Sequence, residues 1–291
     1  MDGIRAQQAA PTPLAQLAER LGQGGTERLA QAMLASAQAL HGLVETLRPT
    51  SDEFRAVVDF LTEVGFSAHE RRQEWVLLAD VIGVSTLVED LNAPRPEGAT
   101  PNTLAGPFYR ADVPELSNGA DLSRDGKGVR LAVRGQVRGL DGEPLCGASI
   151  EVWQANAEGL YENQDPDRQP EFNLRGRLQA DGRGRFDFLT VKPGSTRLPD
   201  DGPVGRLMTA LGLGLDRPAH LHFRVTAPGY EPLVTHVFDR DDPLVGRDPI
   251  FGVKPELLAP FRAVPGPAPC HALDLTFTLC REPAASAAAT A

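Results

Sequence analysis

The sequence predicts a mainly β fold of the α+β class, in which an antiparallel β-sandwich follows a group of N-terminal helices. Two observations support this class. Apolar residues recur at helical spacing through the first third of the chain, whereas short alternating runs begin at about residue 129. Turn residues such as Asp141-Gly142 and Asp181-Gly182 separate these runs, which is typical of antiparallel sheets.

The helical part has recognisable boundaries. Apolar residues at helical spacing run from Glu27 to Arg48, and Pro49 ends this helix because proline cannot continue the hydrogen-bond ladder. Thr50 and Glu53 have the spacing of a capping box, in which each side chain accepts a hydrogen bond from the other residue's backbone N–H. They therefore predict the start of a second helix, which Gly65 ends.

A second capping pair, Ser67 and Glu70, precedes a further apolar helical stretch. The apolar stripe from Leu29 to Leu47 lies far from the later motifs in sequence, so it is available to pack against a second subunit. Residues 1–13 and 282–291 are rich in small residues and lack apolar periodicity. They are predicted to be disordered.

The β part contains five alternating runs and one long loop. The loop, Pro193–Pro218, is rich in Gly, Pro and Asp, and loops of this length in a compact domain usually carry function. The predicted strands are Val129–Val137, Ala148–Gln154, Arg177–Asp187, His220–Thr226 and Leu273–Leu279.

Composition excludes several classes of function. The net charge of -10 and the pI of about 5.1 argue against a nucleic-acid partner, because an acidic chain repels phosphate. The three cysteines include no C-x-x-C pair, so we expect neither a disulfide framework nor a cysteine zinc site. With neither a secretory signal pattern nor an apolar run near 18 residues, the sequence predicts a cytoplasmic protein without a membrane span.

The sharpest motif for chemistry is the segment Arg217-Pro218-Ala219-His220-Leu221-His222-Phe223. Alternate residues of a strand point to the same face, so His220 and His222 can present two imidazoles to one metal ion. Leu221 and Phe223 would then face the core. Two such histidines are also common as ordinary core or surface residues, so the motif alone leaves both interpretations open.

A second motif, Gly106-Pro107-Phe108-Tyr109, precedes the first predicted strand. A tyrosine in such a turn is usually a half-buried amphipathic side chain. Beside two histidines and a metal ion, its phenolate would instead be a hard anionic donor that stabilises ferric iron.

These motifs and several further segments resemble those of the intradiol dioxygenases, a family that includes catechol, chlorocatechol and hydroxyquinol 1,2-dioxygenases. The resemblance extends from about Leu29 to Leu279 and is greatest to the hydroxyquinol branch. The segments that carry it are LRPTSDEFRAVVDFLTEVG, RQEWVLLADVIGVSTLVEDLN, RPEGATPNTLAGPFY, ASIEVWQANAEGLYENQ, KPGSTRLPDDGPVG and RPAHLHFRVTAPGYEPLVTHVF.

The resemblance implies a helical dimerisation domain at residues 14–105 and a β-sandwich catalytic domain at residues 106–281. It implies a homodimer formed through the N-terminal helices, with a bound lipid as a family feature, and a mononuclear non-haem Fe(III) held by two tyrosines and two histidines. By position, Tyr109, His220 and His222 are metal ligands. Arg217 is the catalytic cation beside the ring.

The chain departs from the family at the fourth ligand. Alignment places Thr196 where the second tyrosine is expected, and Tyr161 and Tyr230, the remaining tyrosines, are matched to positions that do not bind iron. A threonine hydroxyl is a weak ligand and no useful base, so the site gains one unit of positive charge. Solvent, or a carboxylate such as Asp200 or Asp201, is then expected in the open position, and Fe(II) becomes an alternative to Fe(III).

The resemblance also indicates a substrate. Asp80 lies where catechol enzymes have an apolar residue, so it could accept a hydrogen bond from a third ring hydroxyl and disfavour plain catechol. We therefore expect a catechol-type diol or triol, with hydroxyquinol favoured, which O2 converts to a ring-opened dicarboxylate. The other residues expected to bind the substrate are Leu77, Pro107, Phe108, Arg217 and Ile250.

Two further interpretations remain open. An altered oxygenase with a two-histidine, one-tyrosine metal site would act on a different substrate. A non-catalytic relative would bind a partner through the sandwich. The presence of Tyr109, His220, His222 and Arg217 together argues against it.

Overall fold

The computed structural model describes residues 12–22, 27–69, 72–268 and 270–283. Within these ranges its helices are α1 (Pro13–Leu21), α2 (Glu27–Leu47), α3 (Ser51–Ser67), α4 (Glu74–Val81), α5 (Val84–Asn92) and α6 (Pro203–Ala210). Its strands are β1 (Arg130–Gly139), β2 (Ser149–Gln154), β3 (Arg175–Gln179), β4 (Arg185–Val191), β5 (Thr196–Arg197), β6 (Asp216–Arg217), β7 (His220–Thr226), β8 (Leu233–Asp239), β9 (Leu258–Ala259), β10 (Arg262–Val264) and β11 (Cys270–Leu279).

The two terminal segments that are predicted to be disordered, residues 1–13 and 282–291, lie mostly outside the described residues. At the N-terminus, Pro13 already belongs to α1, and the hydroxyl of Thr12 caps that helix by accepting from the Ala15 N–H. At the C-terminus, the Glu282 N–H donates to the Gly229 carbonyl. The predicted capping residue Glu70 also lies outside the described residues, and α4 begins after Gln73 without a side-chain cap.

The chain divides into two units, residues 1–63 and residues 64–291. In the first unit the predicted capping box is confirmed. The Glu53 carboxylate accepts from the Thr50 N–H at 2.7 Å, and the Thr50 hydroxyl accepts from the Glu53 N–H at 3.2 Å. Large apolar residues on α2 and α3 of this unit are exposed: Leu29, Met33, Leu40, Leu43, Val44, Leu47, Phe54, Val57, Val58 and Leu61.

In the second unit, α4 and α5 lie with the sheets, and the predicted domain boundary after residue 105 stays a prediction. Polar contacts explain this arrangement. The buried Glu74 carboxylate on α4 accepts from the Val204 N–H at 3.1 Å. The Thr86 hydroxyl on α5 donates to the Ile250 carbonyl at 2.9 Å.

The second unit is a sandwich of two sheets, with strand orders β10-β11-β1-β4 and β3-β2-β7-β8-β9. This confirms the predicted sandwich, although two of its pairings, β1 with β11 and β8 with β9, are parallel. The predicted strand Arg177–Asp187 is in fact two strands, β3 and β4, which belong to different sheets and are separated by a turn at Asp181. The predicted loop Pro193–Pro218 contains β5, α6 and β6.

The core lies between the two sheets, and β7 contributes to it with one face only. Leu221, Phe223 and Val225 are fully buried in the core, as predicted for the first two. Because side chains alternate along a strand, His220 and His222 lie on the opposite face of the sheet. No helix within the described residues is long and apolar enough to span a membrane.

Candidate metal centre

His220 and His222 converge as the sequence predicted. Their Nε2 atoms are 3.2 Å apart, and the two side chains are almost fully buried. The Nδ1–H of His220 donates to the Pro218 carbonyl at 2.7 Å, which leaves its Nε2 lone pair free. The His222 ring stacks on Trp153, with ring centroids 4.8 Å apart. Burial, followed by nearby positive groups, lowers the pKa of both imidazoles, so both are neutral, the form that binds metal ions.

Tyr161 supplies the third donor. Its hydroxyl oxygen lies 2.9 Å from the His222 Nε2 and 3.3 Å from the His220 Nε2. Neighbouring donors bound about 2.1 Å from one ion, at angles of about 90–109°, lie about 3.0–3.4 Å apart. The three atoms therefore have the spacing of one face of a metal ion's coordination shell, and two imidazoles with one phenolate suit iron.

The surroundings of Tyr161 fix its position. The ring stacks on Phe108, with centroids 4.4 Å apart. Burial raises the pKa of this phenol, while the charges of Arg217 and Arg175 oppose the rise. Burial disfavours the charged phenolate as long as no metal ion is bound beside it. A metal ion at the imidazoles would replace the phenol proton and stabilise the phenolate.

The structure places the hydroxyl of Tyr109, the tyrosine predicted to bind the metal, at Glu151 and not at the two imidazoles. Its hydroxyl donates to the Glu151 carboxylate at 2.9 Å, and Glu151 also pairs with Arg224 and Arg177. Burial and the bond to Glu151 raise the pKa of Tyr109, so this side chain remains a neutral phenol. The ring packs edge-on against Trp153 in the wall beside the centre.

Tyr161, which the sequence had matched to a position that does not bind iron, has its hydroxyl at the imidazoles instead. The choice between the two tyrosines depends on the pairing of β2 with β7, which sets Trp153 opposite His222 and which the local sequence pattern does not reveal. All three tyrosines lie within the described residues. The third, Tyr230, donates to Glu143 and contacts Arg281, in a different part of the sandwich.

The sequence analysis also missed His236 on β8. It lies opposite His222 in the register of β7 and β8, with ring centroids 4.1 Å apart. Among the described residues, the structure groups His220, His222 and His236 as donors within 4.8 Å of one another. The Nδ1 of His236 is hydrogen-bonded to the hydroxyl of Thr103. The signal available in the sequence was a histidine in the strand that follows the H-x-H strand.

Arg217 lies next to the centre on β6, and its guanidinium forms a buried ion pair with Asp248, with Nε 3.0 Å from Oδ1. Its charge lowers the pKa of the nearby imidazoles and opposes the rise at Tyr161. The sequence analysis did not find Asp248.

Thr196 pairs with Arg217 through β5 and β6 and is buried. The loop that carries it touches the loop of Tyr161 at Gly159, whose φ of 83° favours glycine and where a side chain would meet the Ser195 carbonyl oxygen. The expectation that Thr196 replaces a second tyrosine stays a prediction.

The residues expected to bind substrate fall into two groups. Burial raises the pKa of Asp80, a rise that its hydrogen bond to Ser85 and the charge of Arg217 oppose. Ile250 is buried and lies two residues after Asp248, and Phe108 stacks on Tyr161. Leu77 is partly buried, as are Asp80 and Phe108, whereas Pro107 is exposed.

A second buried ion pair, between Arg175 and Glu162, lies beside the centre. Arg175 also donates to the Phe108 carbonyl at 2.8 Å, and Glu162 directly follows Tyr161 in the chain. The pair therefore joins the two segments that stack at the centre.

Comparisons with known proteins agree with this fold. The family described as "Dioxygenase" matches residues 104–282, and the one described as "Catechol dioxygenase N terminus" matches residues 26–100. The hydroxyquinol 1,2-dioxygenase of Rhizobium sp. is 47% identical over 81% of this chain and 80% of its own length. The 6-chlorohydroxyquinol 1,2-dioxygenase of Cupriavidus pinatubonensis is 40% identical over 89% of this chain and 93% of its own.

The same likeness is seen in three dimensions. The hydroxyquinol 1,2-dioxygenase structure from Pseudomonas putida superimposes with a TM-score of 0.88 at 35% identity, over 92% of this chain and 97% of the other. The catechol 1,2-dioxygenase structure from Pseudomonas arvilla gives a TM-score of 0.79 at 29% identity, over 96% and 94%. The chain therefore belongs to the dioxygenase family that contains the hydroxyquinol and catechol 1,2-dioxygenases.

Proposed function

We propose that the protein is an intradiol dioxygenase that uses O2 to open the ring of a catechol-type diol or triol between the two hydroxylated carbons, giving a dicarboxylate. The observation that carries this proposal is the triangle of Tyr161, His220 and His222 donors, with sides of 2.9–3.3 Å. Hydroxyquinol is the favoured substrate, because relatives named for it are 40–47% identical to this chain.

The non-haem iron that this family implies would be held by Tyr161, His220 and His222, and we propose the ferric state. Bound there, ferric iron would draw electron density from a coordinated diolate and so make the ring reactive toward O2. A single phenolate among the donors reduces the stabilisation of Fe(III), so a ferrous centre in an altered oxygenase is the second candidate. The ferric protein should be coloured, whereas the ferrous protein should not.

The protein's own residues bind and orient the substrate. The charge of Arg217 lowers the free energy of the deprotonated diol, and the ion pair with Asp248 fixes the position of the guanidinium. The rings of Phe108 and Trp153 wall the donors and keep water from them. Asp80 would accept a hydrogen bond from a third hydroxyl.

Oxygen uptake by the iron-loaded protein, with mass analysis of the product, tests the proposed function. Hydroxyquinol, catechol and chlorocatechol would each be supplied. We expect one O2 consumed per ring and a dicarboxylate product, fastest with hydroxyquinol. Ring opening beside the hydroxylated carbons, or no uptake with any of the three, would contradict the proposal.

Asp80→Leu is expected to lower the preference for hydroxyquinol over catechol. Removing the carboxylate takes away the acceptor for the third hydroxyl of hydroxyquinol. It also removes the free-energy cost of leaving the Asp80 carboxylate unpaired when catechol binds. The ratio of kcat/KM values should therefore fall about 10- to 100-fold. The matched control is Asp90→Leu on α5, where the aspartate faces Lys254. An unchanged ratio in Asp80→Leu would place Asp80 outside the substrate pocket.

We further propose a homodimer formed through α2 and α3. The exposed apolar residues of these helices support it, because a stripe of this length costs free energy in water. A monomer in sedimentation at micromolar concentration would contradict the proposal. The bound lipid and the cytoplasmic location stay predictions.

A further inference from the structure

We propose that His236 is a third imidazole ligand of the same metal ion, in addition to His220, His222 and Tyr161. The inference rests on the metal site of the proposed function and deepens it. It gives this centre three imidazoles and one phenolate from the protein.

The imidazole of His236 is buried, and one of its two nitrogens is unpaired in the described part of the chain. His236 is 1% exposed, and its Nε2 finds no hydrogen-bond partner among the described residues. Buried polar atoms are nearly always satisfied, because leaving one unpaired forfeits its hydration without compensation. A metal ion at Nε2 would supply the missing partner.

The second argument is orientation. His236 lies directly across from His222 on the same face of the sheet, and its ring centroid is 5.0 Å from that of His220. In His220, the Pro218 carbonyl holds Nδ1 and leaves Nε2 for the ion. The hydroxyl of Thr103 is hydrogen-bonded to Nδ1 of His236, and Nε2 is left for the ion when that hydroxyl accepts the Nδ1 proton. Metal-binding histidines usually have their second nitrogen fixed by such a bond.

The third argument is distance. The donor atoms of the three histidines lie within 4.8 Å of one another. Two donors on opposite sides of one ion lie about 4.2 Å apart. The 4.8 Å spread of the histidine donors is close to this separation, so His236 is near enough to share the ion that Tyr161, His220 and His222 would hold.

The consequence concerns the choice of ion. Of the three tyrosines, all of which the structure describes, Tyr161 alone has its hydroxyl at the histidines, and Thr196 brings no phenolate. A neutral imidazole in place of a second phenolate leaves one anionic donor. This set should bind Fe(II) more tightly, relative to Fe(III), than a site with two phenolates does.

The experiment compares His236→Gln with His271→Gln. His271 is a matched control because it lies on β11 in the other sheet and also has a buried Nδ1 without a partner in the described part of the chain. Fe(II) affinity would be measured by competition with a chromophoric chelator. We expect His236→Gln to weaken binding at least about 10-fold and His271→Gln to leave it unchanged. Equal affinity in all three proteins would overturn the inference.

A second measurement uses the protein without any substitution, so its result does not depend on whether a variant folds. Pulsed EPR of the Cu(II)-loaded protein counts the imidazoles coupled to the metal, and we expect three. A count of two would overturn the inference. In the His236→Gln background, Thr196→Tyr should restore metal affinity and add a visible charge-transfer band.

The outcomes separate this inference from the proposed function. A protein with three coupled imidazoles that consumes no O2 with any diol would contradict the function and leave the ligand assignment intact. Intradiol cleavage by a protein with two coupled imidazoles would do the reverse.

Discussion

Tyr161→Phe is expected to lose iron and its visible colour, whereas Tyr109→Phe keeps both. The hydroxyl of Tyr161 lies within 3.3 Å of both imidazole donors, so its removal deletes the anionic donor. Loss of groups that merely orient a ligand weakens metal binding about 10- to 100-fold, and loss of the phenolate should exceed that range. Bound iron per chain, the visible spectrum and the chelator-competition affinity measure the effect.

Tyr109→Phe serves as the matched control, since it removes a phenol from the same wall. It breaks the hydrogen bond to Glu151, which should cost about 1 kcal/mol of stability. If instead the colour vanished in Tyr109→Phe and persisted in Tyr161→Phe, Tyr109 and not Tyr161 would be the phenolate ligand.

Arg217→Met is expected to lower the free energy of unfolding by about 3–5 kcal/mol and to remove nearly all turnover. The change leaves the Asp248 carboxylate buried without its counter-charge, and breaking a buried pair from one side has a cost of this order. It also removes the cation that favours the deprotonated diol. Urea denaturation and steady-state oxygen uptake measure the two effects separately.

The double variant Arg217→Met/Asp248→Asn distinguishes the structural role from the chemical one. The asparagine is neutral and can still accept from the Gly252 N–H, which Asp248 does at 3.0 Å. We expect stability to recover most of the loss while turnover stays low. Recovery of turnover together with stability would show that Arg217 acts only as a structural residue.

Features that depend on neighbours in the chain could be predicted from the sequence. The H-x-H spacing placed two imidazoles on one face and Leu221 and Phe223 in the core, because alternation is a local property of a strand. The Thr50–Glu53 capping box was predicted for the same reason.

Features that depend on pairing between distant segments could not. Choosing Tyr161 over Tyr109 requires the register between β2 and β7, and finding His236 requires the register between β7 and β8. β1 and β11 are the first and last strands of the sandwich along the chain, and they pair in parallel. The alternation of side chains within each strand does not reveal this pairing. Asp248 was missed because its partner Arg217 lies 31 residues away in the chain.

The separation of the donors along the chain has a thermodynamic consequence. The phenol of Tyr161 and the imidazole of His222 are 61 residues apart, and they meet only when β2 and β7 have paired. A denatured chain offers the ion at most the neighbouring histidines, so loading with metal favours the assembled sheet by mass action. The melting temperature should therefore rise with the free metal concentration, which makes thermal denaturation a measure of occupancy.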